Sequence, residues 1–411
     1  MADRIPIETQ VAAMIPHELV VEILTWLPAI HLWPLRLVSK TWFNLLTTDH
    51  NFANLHFTRA VQSNSNPSIL ARKCSLEPEF YLAVDYTECA KAISLGFPIQ
   101  EGRGVNYYSL IGISNGLICI VHSARNEVYI WNPIIKDHIT ISYLGIPSPT
   151  HFGFGFHQDI NAYKLVKLVP RPKCPLLVSL WTLGVDSSSW RSLEDDNIYN
   201  VTFIMDTPSP VVNGCIHWLA SRGGLLTSTI LLSFDLKDEV TREIAIPSDL
   251  YSIDLHDNST EIREIGGCLY ICCVSRENGD LQIWAMDDYG VISPWRKLRF
   301  GKPQVGDFLF QLHPLVVVGS TGEIILEKIS GVIKGVTFPN MKTQLILYNL
   351  TTELITNLKE FSFELYRAYM YIGSIISPRV IIEAGLWLSL FPKVTKFRIS
   401  GPIFSYFGTP F

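Results

Sequence analysis

The sequence predicts a mainly β chain with a small α domain at its front: three short helices, then a β-propeller of about six blades. Three observations carry this. Aromatic-centred hairpins recur at a period near 50 residues from Tyr81 onward. Glycine-led strands precede most of them. The segment up to His56 instead holds a helical apolar stripe punctuated by prolines.

The front segment is read first. In "PHELVVEILTWL", Pro16–Leu27, the residues Leu19, Ile23 and Leu27 recur at i, i+4 and i+8, with Val20 and Leu24 beside them. Pro16 suits a first helical turn, Glu18 complements the helix dipole there, and Pro28 stops the helix. In "HLWPLRLVSKTWFNLL", Leu35, Val38, Trp42, Leu45 and Leu46 keep helical spacing, and Ser39 is placed to cap a third helix. Pro34 is tolerated if the second helix begins near Leu32. A turn and a short anchor holding Phe52 and Leu55 follow. Three short helices seldom bury an adequate core alone. Their apolar faces need either the rest of this chain or another protein, and pattern alone leaves those readings even.

The β region repeats. Aligned on Val84, Trp131, Trp181, Phe234, Trp284 and Tyr348, its hairpins are spaced by 47, 50, 53, 50 and 64 residues. That period fits a propeller blade of kelch type. "NGLICIV", "FGFGF", "NGCIHWL", "GGCLYIC" and "TGEIILE" read as the strand ahead of each pair. Radial stacking buries both faces of such apolar sheets, with the aromatics filling the seams. A sandwich or barrel predicts strands without this repeat. The segment "TRAVQSNSNPS" joins the two regions.

Composition excludes several classes. Of 411 residues, 48% are hydrophobic and 17% charged, too apolar for a disordered chain. A net charge of -5 gives no nucleic-acid or anionic-membrane footprint. The eight cysteines form no CxxC pair. They read as reduced, buried thiols, with Cys272-Cys273 in a buried strand, which places the chain in the cytoplasm and/or nucleus. "MADRIPIETQ" has no apolar signal core, and no run reaches the roughly 18–20 residues of a membrane span.

The front residues resemble the F-box. Ile15-Pro16 and Leu27-Pro28 stand at its two Leu-Pro positions; Arg36, Val38-Ser39-Lys40 and Trp42 match its "R.VSK.W" core; Phe52 and His56 match its end. Trp33 and Pro34 depart from it. The resemblance covers residues 12–57. It implies docking onto a Skp-type adaptor, and through that onto a cullin, with Ile15, Pro16, Leu19, Ile23, Leu27, Pro28, Leu32, Leu35, Val38 and Trp42 as the adaptor-binding set. Which of these face the adaptor and which face inward stays open. Residues 60–378, with "SNGLICI", "WNP", "SSSWRSL", "VVNGCIHWLA" and "LLSFDLKDEVTREIAIP", resemble the F-box-associated domain of plant F-box proteins, a group that includes the S-locus F-box proteins. This implies a substrate-recognition subunit of an SCF-type ubiquitin ligase, non-catalytic, binding a protein target through its ring. Two alternatives stand beside it: a scaffold or decoy outside any ligase, and a propeller enzyme.

No catalytic, metal or cofactor set emerges. Gly153-x-Gly155 lacks the third glycine or Gly-Lys-Ser/Thr of a phosphate loop. His151, His157, His217 and His313 are dispersed, and His217 reads as a buried, hydrogen-bonded imidazole. "DSSSW" reads as a hairpin turn, and "EDD" (194–196) and "MDD" (286–288) as solvated turns. The connections at 171–176, 220–229 and 301–308 are the candidate target-binding loops. Residues 379–411 form an atypical apolar tail. It is read first as an addition from altered gene structure, otherwise as an extra strand or a weak membrane contact.

Overall fold

The computed structural model describes residues 16–63, 68–75, 79–97, 108–144, 150–171, 173–185, 190–193, 198–203, 208–222, 228–247, 250, 260–274, 281–286, 289, 295–299, 310–318, 323–333, 336–349, 352 and 354–390. At the front, Pro16 precedes α1 (His17–Leu24), which ends three residues short of the expected Leu27. There the Thr25 hydroxyl folds back to donate to the Glu22 carbonyl at 2.7 Å. Pro28 then opens α2 (Ala29–Leu32), which runs into a 3₁₀ turn at Trp33–Leu37. The missing Pro34 N–H breaks the α-type ladder there. Ser39 caps α3 (Lys40–Thr47) as expected, its hydroxyl accepting from the Trp42 N–H at 3.2 Å. The short anchor expected near Phe52 is a full helix, α4 (His50–Gln62), capped by Asp49.

Six antiparallel sheets follow. Blade one takes β1 (Ser68–Lys73), β2 (Phe80–Ala83) and β3 (Ile93–Ser94). Blade two is β4 (Tyr108–Ser114), β5 (Leu117–His122), β6 (Glu127–Asn132) and β7 (Asp137–Ser142). Blade three is β8 (His151–His157), β9 (Ala162–Val169), β10 (Leu177–Thr182) and β11 (Arg191–Leu193). Blade four holds β12 (Val201–Phe203), β13 (Val211–Val212), β14 (Cys215–Arg222), β15 (Ser228–Asp235) and β16 (Thr241–Ile244). Blade five is β17 (Thr260–Ile265), β18 (Cys268–Val274), β19 (Leu281–Met286) and β20 (Trp295–Arg299). Blade six is β21 (Phe310–Val318), β22 (Glu323–Ile333), β23 (Val336–Asn349) and β24 (Ile355–Asn357). The last strand, β25 (Leu365–Tyr371), returns to pair with β1 as the first strand of blade one, so the two ends of the β region close the ring. First strands of neighbouring blades touch, β4 with β8, β17 with β21 and β21 with β25, which sets them innermost.

The 50-residue period is the third strand. Trp131, Trp181, Phe234, Trp284 and Tyr348 lie on β6, β10, β15, β19 and β23, all buried, and Val84 follows β2 directly. Asn115-Gly116 and Asn213-Gly214 have positive φ at both residues (47° and 75°, 49° and 73°), the backbone that joins twisted strands through a two-residue turn. "FGFGF" is a correction. It is β8, the first strand of blade three, not the second. Its glycines serve a close approach: a Cβ at Gly153 would overlap the Trp218 ring and Ile216 on the next blade.

Side chains pin the seams at the same period. Trp190 Nε1–H, just ahead of β11, donates to the Ser142 carbonyl at 3.0 Å, and Trp295 Nε1–H, at the start of β20, donates to the Ala245 carbonyl at 2.8 Å. Trp218 Nε1–H reaches the Phe152 carbonyl at 3.1 Å. Each bond crosses from one blade to the one before it. His217 is buried between the Tyr289 hydroxyl (2.8 Å) and the Pro210 carbonyl (3.3 Å), as read from the sequence.

Residues 379–390 of the apolar tail lie in α5 (Pro378–Leu390), a helix rather than a strand; 391–411 lie outside the described residues. Arg379 anchors α5 to Asp137 of β7 at 3.1 Å. All eight cysteines are unpaired. Five are buried, but Cys74 and Cys174 are exposed, because each sits on a connection between the second and third strands of its blade.

Candidate functional site

The front helices present two kinds of face. One is sealed. Leu24, Ala29, Leu32, Leu46, Phe52 and Ala53 share a core with Ile134, Ile135, Ile375 and Ile376 of the ring side. Gly373 lies against α2: a Cβ added there would meet that of Ala29 in ordinary van der Waals contact at 3.4 Å. Asn132 builds this seat. Its side-chain amide donates to the Ser374 and Ile376 carbonyls at 2.9 Å each, and its oxygen accepts from the Ile134 N–H at 2.9 Å.

Inside the front domain, His56 Nε2–H on α4 donates to the Leu27 carbonyl at 2.8 Å and so ties α4 to the end of α1. Burial pushes this imidazole's pKa down, against the pull of that bond, and favours the neutral ring. Arg59 adds an ion pair to Glu22 at 2.7 Å and stacks over the Trp26 ring.

The other face is open. Leu19 and Ile23 on α1 and Trp26 in the turn after it form a stripe, each more than half exposed (53%, 54% and 56%). Leu37 at the end of the 3₁₀ turn, Val38 after it and Phe43 on α3 are exposed as well. Of the residues named from the sequence, Pro16, Leu19, Ile23, Pro28 and Val38 are exposed, while Leu27, Leu35 and Trp42 are half-buried against the core. Leu32 is 0% exposed and faces inward, so it offers nothing to a partner in this arrangement. Ile15 lies outside the described residues. Trp26, Leu37 and Phe43 were not among the nominated residues. Trp26 completes an i, i+4, i+7 stripe with Leu19 and Ile23 that was available to find it.

At the other end of the ring, strand direction places the described parts of two candidate loops. The front helices and α5 meet the end where first and third strands finish, at Tyr371 and Asn132. The 171–176 and 220–229 connections leave from the ends of second strands, on the opposite end. Arg171, Lys173, Cys174 and Arg222 are exposed there; Pro172, 223–227 and 301–308 lie outside the described residues.

Comparison with known proteins agrees with this division. The profile of the F-box associated beta propeller domain matches residues 85–373, well over half the chain, and that of the F-box domain matches 14–54. The chain belongs to the F-box-associated propeller family. Among relatives of this family, F-box protein At3g07870 of Arabidopsis thaliana is 25% identical over 69% of this chain and 71% of its own length. F-box/kelch-repeat protein At3g23880 of the same plant is 23% identical over 76% and 84%. A solved structure, putative TolB from Agrobacterium tumefaciens, overlaps 75% of this F-box chain and 98% of its own at a TM-score of 0.38 and 10% identity, too distant to carry an argument.

Proposed function

We propose that this F-box protein is the substrate-recognition subunit of an SCF-type cullin ubiquitin ligase. Its F-box docks a Skp-type adaptor, and through it a cullin, while the far end of the ring holds a protein target. One observation carries the reading: an apolar stripe, Leu19, Ile23 and Trp26, stands in water on helices whose other face is locked to the ring. Full burial of one such side chain is worth ~1.5–3 kcal/mol, and a few of them carry a typical interface. The protein's work is then geometric rather than catalytic. It holds a target beside a ubiquitin-loaded enzyme and raises the effective concentration of the reacting groups. Eight unpaired cysteines support a reducing setting, the cytoplasm or nucleus.

The test is co-purification with a Skp-type adaptor, wild type against I23D plus V38D. Both positions are exposed, so the variant keeps its fold. Wild type recovers adaptor and cullin, and the variant recovers neither. Equal recovery by both removes the proposal.

A further inference from the structure

Five ionisable side chains of blades five, six and one lie together, four on the innermost strands β17, β21 and β25 and Glu327 on β22, the second strand of blade six. Glu261 and Glu327 are 1% and 0% exposed. Arg263, beside Glu261 on β17, donates to a Glu261 oxygen through Nε at 2.9 Å and a terminal nitrogen at 2.6 Å. His313 of β21 sets Nδ1 3.1 Å from the same oxygen. Arg367 of β25 spans both acids: one terminal nitrogen donates to Glu327 at 3.0 Å and the other to the second oxygen of Glu261. The Ala368 N–H adds a 2.7 Å bond to Glu327. Burial by itself raises the Glu261 carboxyl, but Arg263, Arg367 and His313 outweigh it and hold the group well below the ordinary carboxylate range.

Arg367 is the member that comes from the closing strand. β25 pairs with β1, from Ser68 opposite Tyr371 to Lys73 opposite Leu365. The ring's half of the seat that Asn132 grips follows within nine residues of Arg367. The Tyr371 hydroxyl donates to the Gly116 carbonyl at 2.9 Å, Gly373 packs against Ala29, and Ser374 and Ile376 accept from Asn132.

We infer that Arg367 is a charge clasp that commits β25 to the ring, and that ring closure in turn builds the platform on which the F-box helices stand. A chain whose last strand is not clasped presents its helices without their seat. Two buried carboxylates balanced by two mostly buried guanidiniums make closure close to all-or-none. Withdrawing one arginine strands a buried negative charge, which costs far more than the pair itself contributes. The device ties the ring's integrity to presentation of the apolar stripe.

The test is hydrogen exchange on the full chain, read segment by segment, for R367M and for R367M/E327Q. The double variant removes one charge of each sign, and its glutamine still accepts the Ala368 N–H. In R367M, exchange across 365–377 and in α2 accelerates on the order of 100-fold, while β14 and β15 exchange as in wild type. The double variant recovers at least about tenfold of that loss. Unchanged protection of 365–377 in R367M overturns the clasp. So does uniform loss over all blades in both variants, or a double variant no better than the single one, which makes Arg367 a packing residue. The readout uses no adaptor, so failure here and failure of the ligase reading are distinguishable.

Discussion

The front helices and the ring bury their apolar residues by opposite routes. Eight of the sixteen exposed large hydrophobic side chains among the described residues lie between Pro16 and Ser63. The ring is far longer, yet its large aromatics close against the next blade and leave few such residues at its rim. A propeller completes itself because every blade has a neighbour. The helical unit has one such neighbour, the seat around Asn132 and Gly373, and its second face has none among the described residues. That asymmetry separates positions that set stability from positions that set association.

The largest expected effect lies in the ring. Trp131 is 2% exposed and packs against Phe80 and Phe97 of blade one. Trp131→Ala costs about 3–5 kcal/mol, read as a lower urea midpoint. A loss under about 1 kcal/mol shows that the seam is not a packed core.

Acid tests the same seams through His217. Burial pushes this imidazole's pKa down to about 4, from an ordinary value of 6.5. The unfolded chain therefore binds the extra proton at higher pH than the native one does. The stability associated with the neutral ring is full above pH 6.5, falls as pH drops, and levels off near pH 4. The whole shift is worth about 3 kcal/mol. In H217Q that contribution is absent, so the stability gap between wild type and variant narrows by about that amount between pH 7.5 and pH 4. A gap that holds constant with pH sinks the assignment.

Much of this division was legible in the sequence, and what was not has a common cause. The third-strand aromatics marked blade number because a seam needs one bulky residue per blade, and Ser39 marked its helix because capping is local. The Trp-Asn-Pro motif was visible, but not its role: Asn132 grips Ser374 and Ile376, more than 240 residues away. Nothing in the sequence marks Arg367, Glu261 and Glu327, since their balance exists only once three blades meet. Leu19 and Leu32 are the same residue type on neighbouring helices, one outside and one inside. A segment apolar on most faces does not disclose which face is covered.

The open face yields the next prediction. Ile23→Asp leaves the urea midpoint of the isolated chain within about 0.5 kcal/mol of wild type, because the side chain already stands in water. It weakens adaptor binding roughly 30-fold or more, as loss of a hot spot worth about 2 kcal/mol does. Calorimetric titration with purified adaptor measures the second quantity. A variant that loses stability instead of affinity reverses the contrast between front and ring.

The smallest effect is the sharpest test of the repeat. Trp190 and Trp295 make equivalent bonds at equivalent blade positions, 48 and 50 residues beyond the carbonyls they reach. Trp→Phe at either site keeps an aromatic ring and removes the indole N–H, leaving a seam carbonyl to find water. Each costs about 1 kcal/mol, the net worth of a hydrogen bond between neutral groups. The two seams, blade two with three and blade four with five, share no partner, so the double variant loses the sum of the two single losses. Urea titration of the four proteins reads this directly. Equal, additive losses identify the pin as a property of the blade repeat. A loss at one site alone reduces it to an accident of that seam, and a double loss well beyond the sum shows that strain passes around the ring from seam to seam.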